Sequence, residues 1–438
     1  MNNFRNKLIF AKQLIQLVLL AVVVINPELI AQNTNLYGYL KWFNHTNLNQ
    51  PHFFDRLGTR LQLNFSGEMN NRLAMFAALD FNYEETEAEG NSTEPRSAGM
   101  DIYPVEMYLD FYSPHFDLRL GKQFIFWGQT DWINPTDNIN PWDYKNISAE
   151  IEDYRIPVNA LKANFYLGNW NLEAVGVFHF LPHKIPLSFP DSLGPFAARL
   201  QPARRPADKL ANAELGFRLS SQIFQIDYSF SYFHGFDKSP SIMFQPVFNP
   251  FGAPQDMLIT PEYKPYQVFG ADFVTTRGQF ALKGEGAYFR TEDTEGIKPF
   301  IENPHLKYVL GMDYYPRDDV HLNVQFVQKI RLKYDPNQEQ RRLQELGVYN
   351  PRVADRREQS LSTMLKFEPL NFTSVQLIGV MNLKDRDFFL LPILNYQFAD
   401  GLNIYGGATI FSGPEESPFG RSKPYSRAFV EVKYSFSR

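Results

Sequence analysis

The 438-residue sequence contains no cysteine. Disulfide staples, thiolate metal sites, thiol nucleophiles and a lipidated N-terminal cysteine are therefore excluded. Beyond the N-terminal region it has no run of about eighteen apolar residues, so no bilayer-spanning helix is expected there. Charge of one sign is also lacking. The 43 Lys and Arg set against 48 Asp and Glu give a net charge of −5, which gives no reason to expect nucleic acid as a partner. Neither a phosphate-cradling glycine loop nor a dinucleotide fingerprint occurs.

Aromatic residues, by contrast, are abundant: 40 Phe and 23 Tyr contribute to an aromatic share of 16%. The mean hydropathy is nevertheless negative. Many aromatics among many polar residues suit strands with one greasy and one wet face. The N-terminus has its own pattern. Arg5, Lys7 and Lys12 precede an apolar run from Leu14 to Ile25, then Asn26-Pro27-Glu28 and a small residue, Ala31. This is the layout of a secretory signal peptide over 1–31, leaving 32–438 as a single domain.

That domain reads as alternation. Leu57, Thr59, Leu61, Leu63 and Phe65 interleave with Gly58, Arg60, Gln62, Asn64 and Ser66; Leu322, Val324 and Phe326 interleave with His321, Asn323 and Gln325. Apolar faces run uninterrupted for about nine to eleven residues, the length of a tilted bilayer-crossing strand. Short links rich in turn residues (67–71, 113–117, 167–171, 220–222, 275–279, 316–319, 368–372, 399–401) alternate with longer ones (44–55, 84–99, 127–158, 181–209, 235–264, 291–304, 331–358, 382–387, 412–426). The expected fold is an all-β transmembrane antiparallel up-and-down barrel of about 18 strands, with short periplasmic turns and long extracellular loops. Sixteen strands stay possible, because alternation is poor over Val375–Met381 and Phe388–Gln397. A soluble sandwich or propeller is the competing reading; it would not confine long loops to one end.

Strand phase assigns charges to the lumen. Lys41, Arg60, Arg119, Lys162, Arg218, Lys283, Lys307, Lys366 and Lys433 face Asp80, Glu106, Asp110, Glu173, Glu214, Asp227, Asp272, Glu285, Asp313 and Glu431. Near-balance allows cross-strand pairing and announces neither an anion nor a cation channel. The final strand places Val430, Val432, Tyr434 and Phe436 on one face, although Ser437 and Arg438 follow the last aromatic.

The most distinctive stretch is Leu118-Arg119-Leu120-Gly121-Lys122-Gln123, then Trp127-Gly128 and a long loop. In it Ile133-Asn134-Pro135-Thr136-Asp137 is echoed by Ile139-Asn140-Pro141-Trp142-Asp143, and Arg155-Ile156-Pro157 follows. Each Asn-Pro stiffens the chain. Trp127, Trp132, Trp142, Tyr144 and Tyr154 are expensive to leave in water. The loop is therefore expected to fold into the lumen and present Asp131, Asp137, Asp143 and Arg155 to solutes, beside Lys122, Gln123, Arg60, Glu106 and Arg218. A purely structural role for Gly121, Arg119 and the loop remains open.

The run from Leu118 to Pro157 resembles the porin-like outer-membrane barrels long filed as a domain of unknown function, which carry an Arg-x-Gly-(Lys/Arg)-Gln strand, a Trp-Gly and an Asn-Pro-x-Asp loop. It is more distantly similar to the alginate-export barrels. The resemblance implies an outer-membrane barrel with a transport-like role and supplies no substrate. The C-terminal strand is likewise similar to the signal read by the barrel-assembly machinery.

Other clusters are weaker. Ser231, His234 and Asp237 have the residue types of acyl transfer, but phase separates the first two. His179 and His183 lack a third metal ligand. Asp131, Asp137, Asp143 and Glu150 could hold calcium. Arg199, Arg204, Arg205 and Lys209 form a basic loop that could meet lipopolysaccharide phosphates. The segment Asn337–Leu346 reads as a helix closed by Gly347. The expected function is a channel for small or amphipathic solutes in the outer membrane, not an enzyme, without cofactor. An exporter or receptor barrel serving lipid or polysaccharide is the alternative. Outer-membrane lipid is the expected surround, and a homo-oligomer stays open.

Overall fold

The computed structural model describes residues 33–49, 55–86, 97–144, 150, 154–185, 192–193, 196–298, 300–345 and 353–437. The expected signal peptide and Gly347 lie outside the described residues.

Eighteen antiparallel strands form one closed sheet. In order round the wall they are β1 (Asn33–Asn47), β2 (Arg56–Asn70), β3 (Leu73–Thr86), β4 (Ser97–Tyr112), β5 (Phe116–Gln123), β6 (Val158–Leu167), β7 (Trp170–Val177), β10 (Glu214–Ile223), β11 (Ile226–Phe236), β14 (Pro265–Arg277), β15 (Phe280–Thr291), β16 (His305–Arg317), β17 (Val320–Arg331), β18 (Arg357–Leu370), β19 (Thr373–Asn382), β20 (Phe388–Ala399), β21 (Leu402–Ser412) and β22 (Arg427–Ser437). The wall closes where β22 pairs with β1, from Tyr37 opposite Ser437 to Asn47 opposite Arg427. Closure satisfies every edge, a requirement for a sheet in hydrocarbon.

The burial pattern is inside-out relative to a soluble protein. Asp80, Asp272, Glu285, Asp313, Glu431 and Lys41 are each less than 5% exposed, whereas Leu120, Phe217, Phe230, Leu310, Val324 and Val430 are each more than 40% exposed. A soluble barrel would invert this arrangement; only a hydrocarbon surround accommodates such an outer face. Aromatic side chains stand exposed close to the short turns, among them Phe165, Trp170, Phe280, Phe372 and Phe398. That is where an interfacial girdle belongs.

Short turns occupy one rim and the longer links the other, and all nine longer links fall where the sequence puts them. One short turn differs. Ser220-Ser221-Gln222 has turn chemistry, yet β10 continues to Ile223, which pairs with Ile226. The turn is Phe224-Gln225, with φ values of 47° and 66°. Cross-strand pairing of β10 on both sides overrides local preference.

The long links also hold structure that alternation did not reveal. β8 (Ser192–Leu193) and β9 (Phe196–Leu200) join the hairpin of β12 (Ser241–Phe248) and β13 (Pro254–Glu262) in a second, four-stranded sheet. Its small core is Phe196, Met257 and Ile259. The helix is Pro336–Glu345, close to expectation.

Candidate functional site

The inner wall pairs its charges locally. Asp110 and Arg119 sit opposite one another on β4 and β5 and meet through two hydrogen bonds of 2.7 and 2.9 Å, with the guanidinium 3.8 Å above the Tyr108 ring. Arg60 contacts Asp80 at 2.6 Å, Arg218 contacts Asp272 at 3.4 Å, and Lys41 contacts Glu431 at 3.4 Å. Among the described residues these pairs leave no ring of one sign.

The described residues of the link after β5 (124–144, 150 and 154–157) lie against this wall. Its first residues still alternate: Ile125 and Trp127 are 2% exposed, while Phe126 is 61% exposed. Trp127 fits over Gly216 of β10, where a Cβ would lie 2.6 Å from the indole, and its Nε1 donates to Glu173 of β7 at 2.5 Å. Gly128 follows with φ of +89°, and a Cβ here would meet the Glu285 carboxylate at 2.5 Å. The Trp-Gly pair therefore has two causes: the indole needs a glycine on the wall, and the chain beyond it needs both a left-handed φ and close approach to a carboxylate.

Glu285 of β15 is the principal anchor. Its carboxylate accepts from the amides of Gln129 (3.0 Å), Thr130 (3.2 Å) and Thr136 (2.7 Å) and from the hydroxyls of Thr130 (2.8 Å) and Thr136 (2.9 Å). Farther round, Asp131 accepts from Lys283 of β15 at 2.7 Å and from Asn323 and Gln325 of β17 at 3.0 Å each. Trp132 packs on an apolar cluster of Ile378, Leu391, Ile393 and Phe429 from β19, β20 and β22. Glu150 receives Lys433 of β22 at 2.5 Å and Lys41 of β1 at 3.2 Å. The link thus touches wall strands distributed round the sheet.

The echoed Asn-Pro turns clip the link to itself. Asn140 accepts from the Ile125 amide and donates to the Ile156 carbonyl, both at 2.8 Å, and Asn134 donates to the Thr130 carbonyl. His183 joins it to the next long link. Its Nδ1 accepts from the Trp142 amide at 2.8 Å, and its own amide donates to the Lys238 carbonyl at 3.0 Å. Burial and the nearby Lys238 and Lys307 hold the His183 imidazole down at about 4, so it is neutral at pH 7.

Several expected exposures are corrected. Asp137 and Arg155 form an ion pair whose side chains are 2% and 6% exposed. Burial lifts Asp137 to about 6 although Arg155 pulls the other way. Asp143 bonds Lys184 at 2.9 Å. Of the four charges expected to meet solutes, Asp131 is open at 37%. Lys122 donates to the Pro104 carbonyl at 2.5 Å, Gln123 is fully buried on backbone carbonyls, and Glu106 accepts from the Phe124 amide at 2.8 Å.

The calcium ligands do not converge: Asp131, Asp137, Asp143 and Glu150 go to different cationic partners, and among the described residues no group of three metal-binding side chains occurs. His179 bonds Asp208 at 2.7 Å rather than joining His183. His234 faces outward and exposed, and Asp237 caps the Ser239 amide at 2.8 Å, so no triad forms with Ser231. In the basic loop, Arg199 and Arg204 are paired with Asp256 and Glu262.

Two features escaped the sequence. Phase puts Glu285 in the lumen, but its role as an anchor is not legible, because its partners are backbone amides and threonines with no motif. The apolar inner wall was hidden in plain view: alternation fails over 375–381 and 388–397 because both faces are apolar there, outward toward lipid and inward toward Trp132.

Residues 41–341 match the family described as "Protein of unknown function (DUF1302)". The chain belongs to this family. No curated protein matches it. Among solved structures, Pseudomonas aeruginosa OpdK with vanillate is similar at 9% identity and a TM-score of 0.54, covering 93% of this chain and 100% of that one. Acinetobacter baumannii OccAB4 is similar at 11% identity and a TM-score of 0.53, covering 94% and 100%. At such identities the likeness is one of fold: this DUF1302 member is a closed 18-stranded antiparallel β-barrel of the fold those two proteins share.

Proposed function

We propose that this barrel is a non-enzymatic channel for small or amphipathic solutes, and that the link 124–157 narrows its lumen. The observation that carries the reading is the set of bonds from that link to inward-facing side chains on β1, β7, β15, β17 and β22. A loop held at so many points, with Trp127 and Trp132 against the wall, occupies cross-section that an empty barrel would leave to solutes. Charges in a narrow, partly dehydrated passage act strongly, whereas on an open surface they are screened within roughly 8–10 Å. The mixed lining, ion pairs on most strands and apolar side chains on β18–β22, suits a molecule with both kinds of surface. On this reading residues 1–31 are removed on export, the C-terminal strand is read by the barrel-assembly machinery, and the Arg199–Lys209 loop faces lipopolysaccharide. Purified protein in a planar bilayer should give discrete single-channel currents with weak charge selectivity. Silent bilayers with protein shown to be inserted would refute the channel.

A further inference from the structure

We infer that the space between the inward link and the β18 wall is a binding site for a small organic cation: a ring-sized apolar body carrying an ammonium group. The inference rests on the lumen being a solute path and names what that path selects.

A cavity of about 420 Å³ lies there, lined by Phe124, Phe126, Trp132 and Trp142, with Met364 of β18, Asp131 and the Asp137–Arg155 ion pair. That volume is within the usual range for small-molecule sites, as is the combination of apolar walls with few polar groups. Phe126 is the telling residue. It is 61% exposed, yet it belongs to a link whose neighbouring Ile125 and Trp127 are 2% exposed. Alternation turns this ring away from the wall, where it meets the Arg155 guanidinium at 4.2 Å and the Phe124 ring at 6.1 Å, and the part left open is an apolar surface in the solute path available to a ligand.

The chemistry of the polar end follows from what is already spent. Arg155 is held between the rings of Phe126 at 4.2 Å and Trp142 at 4.4 Å and is paired with buried Asp137. A carboxylate ligand would have to break that pair to reach it. Asp131 is different. Its three donors all reach Oδ2, among the described residues Oδ1 takes none, and the side chain is 37% exposed. Lys283, its cationic partner, is shared with Asp313 at 2.8 Å. One ammonium thus serves two carboxylates; Asp313 also has His321 at 2.8 Å and Asn323 at 2.7 Å, so Asp131 is the less compensated of the two and stands beside aromatic faces. Aromatic faces and an unbalanced carboxylate together favour a cation.

The test is calorimetric titration of the protein in nanodiscs with three probes sharing one ring: phenethylamine, 2-phenylethanol and phenylacetate. The amine should bind tightest and phenylacetate about tenfold or more weaker, the ratio for a modest cation–π and charge contribution. Asp131→Asn should remove the preference of amine over alcohol. Phe126→Ala, at an exposed ring whose loss leaves the wall contacts intact, should weaken all three probes. Phenylacetate binding as tightly as phenethylamine, binding unaffected by Phe126→Ala, or no binding by any probe would each overturn the site. Equilibrium binding is read without current, so a silent channel and an empty site are separate results.

Discussion

Glu285→Ala tests how the inward link is held. Glu285 is 3% exposed and its carboxylate accepts five hydrogen bonds from Gln129, Thr130 and Thr136. Truncation leaves three backbone amides without their acceptor. Each buried amide so orphaned costs about 1–3 kcal/mol, though neighbouring losses are not additive and the two hydroxyls can rotate to other partners. A net cost of about 3–5 kcal/mol to the docked state is a fair bound. Trp127 on Gly216 lies before the segment 128–136 and the Asp137–Arg155 pair after it, so the segment should loosen while its ends hold, with Asp131 on Lys283 and Trp132 on the apolar wall as the weaker ties left inside it. Single-channel recording should then show noisier currents and a higher mean conductance, and limited proteolysis should cut within 128–136. The barrel itself should stay folded, since β14–β15–β16 pairing does not pass through this side chain. Glu285→Gln should lie between, because its amide turns a donor toward other donors. Unchanged conductance and an uncut link in folded Glu285→Ala would refute the anchoring argument.

Val324 points to lipid and His321 to the lumen beside Asp313, at 2.8 Å. Val324→Arg should cost about 2–4 kcal/mol in urea unfolding and His321→Arg much less; equal costs would mean the phase of β17 is wrong. His183 is neutral in the folded protein with its affinity for protons lowered to about 4 from 6.5. A depressed histidine stabilises the docked links fully above pH 6.5, and that contribution, at most about 3 kcal/mol, is lost as pH falls from 6.5 toward 4. Conductance should therefore become noisier at pH 5 than at pH 7, and His183→Gln, which keeps an acceptor for Trp142 but cannot charge, should abolish the difference. The Phe224-Gln225 turn places two non-glycine residues at positive φ. Gln225→Gly should stabilise the barrel by about 1 kcal/mol in urea unfolding; a loss of stability would argue against that turn geometry.

How far the sequence carries depends on the physics involved. Barrel architecture is legible because a bilayer imposes a period of two on every strand, and each link length marks its rim. The phase of Arg119, Arg60 and Asp80 followed directly. Its tryptophans and Asn-Pro turns mark the loop as a packed element, but the partners of its charges are not legible in the spacing. Asp137 was expected to face solute and instead neutralises Arg155, a choice made by tertiary distance rather than by spacing. The four-stranded sheet in the long links was missed because β9 pairs in parallel with β13, more than fifty residues away, and such contacts leave no local trace. The poor alternation in β19 and β20, which leaves sixteen strands possible from sequence, records a second apolar face.

The measurement nearest the central claim is the single-channel conductance of a protein in which Asp131 to Ile151 is replaced by a short Gly-Ser bridge. The deletion removes Trp132, Asp137, Asp143 and Glu150, and with them the contacts to β1, β17 and the apolar wall. If the link narrows the solute path, conductance should rise while the barrel still assembles; unchanged conductance in a folded deletion protein would contradict the account.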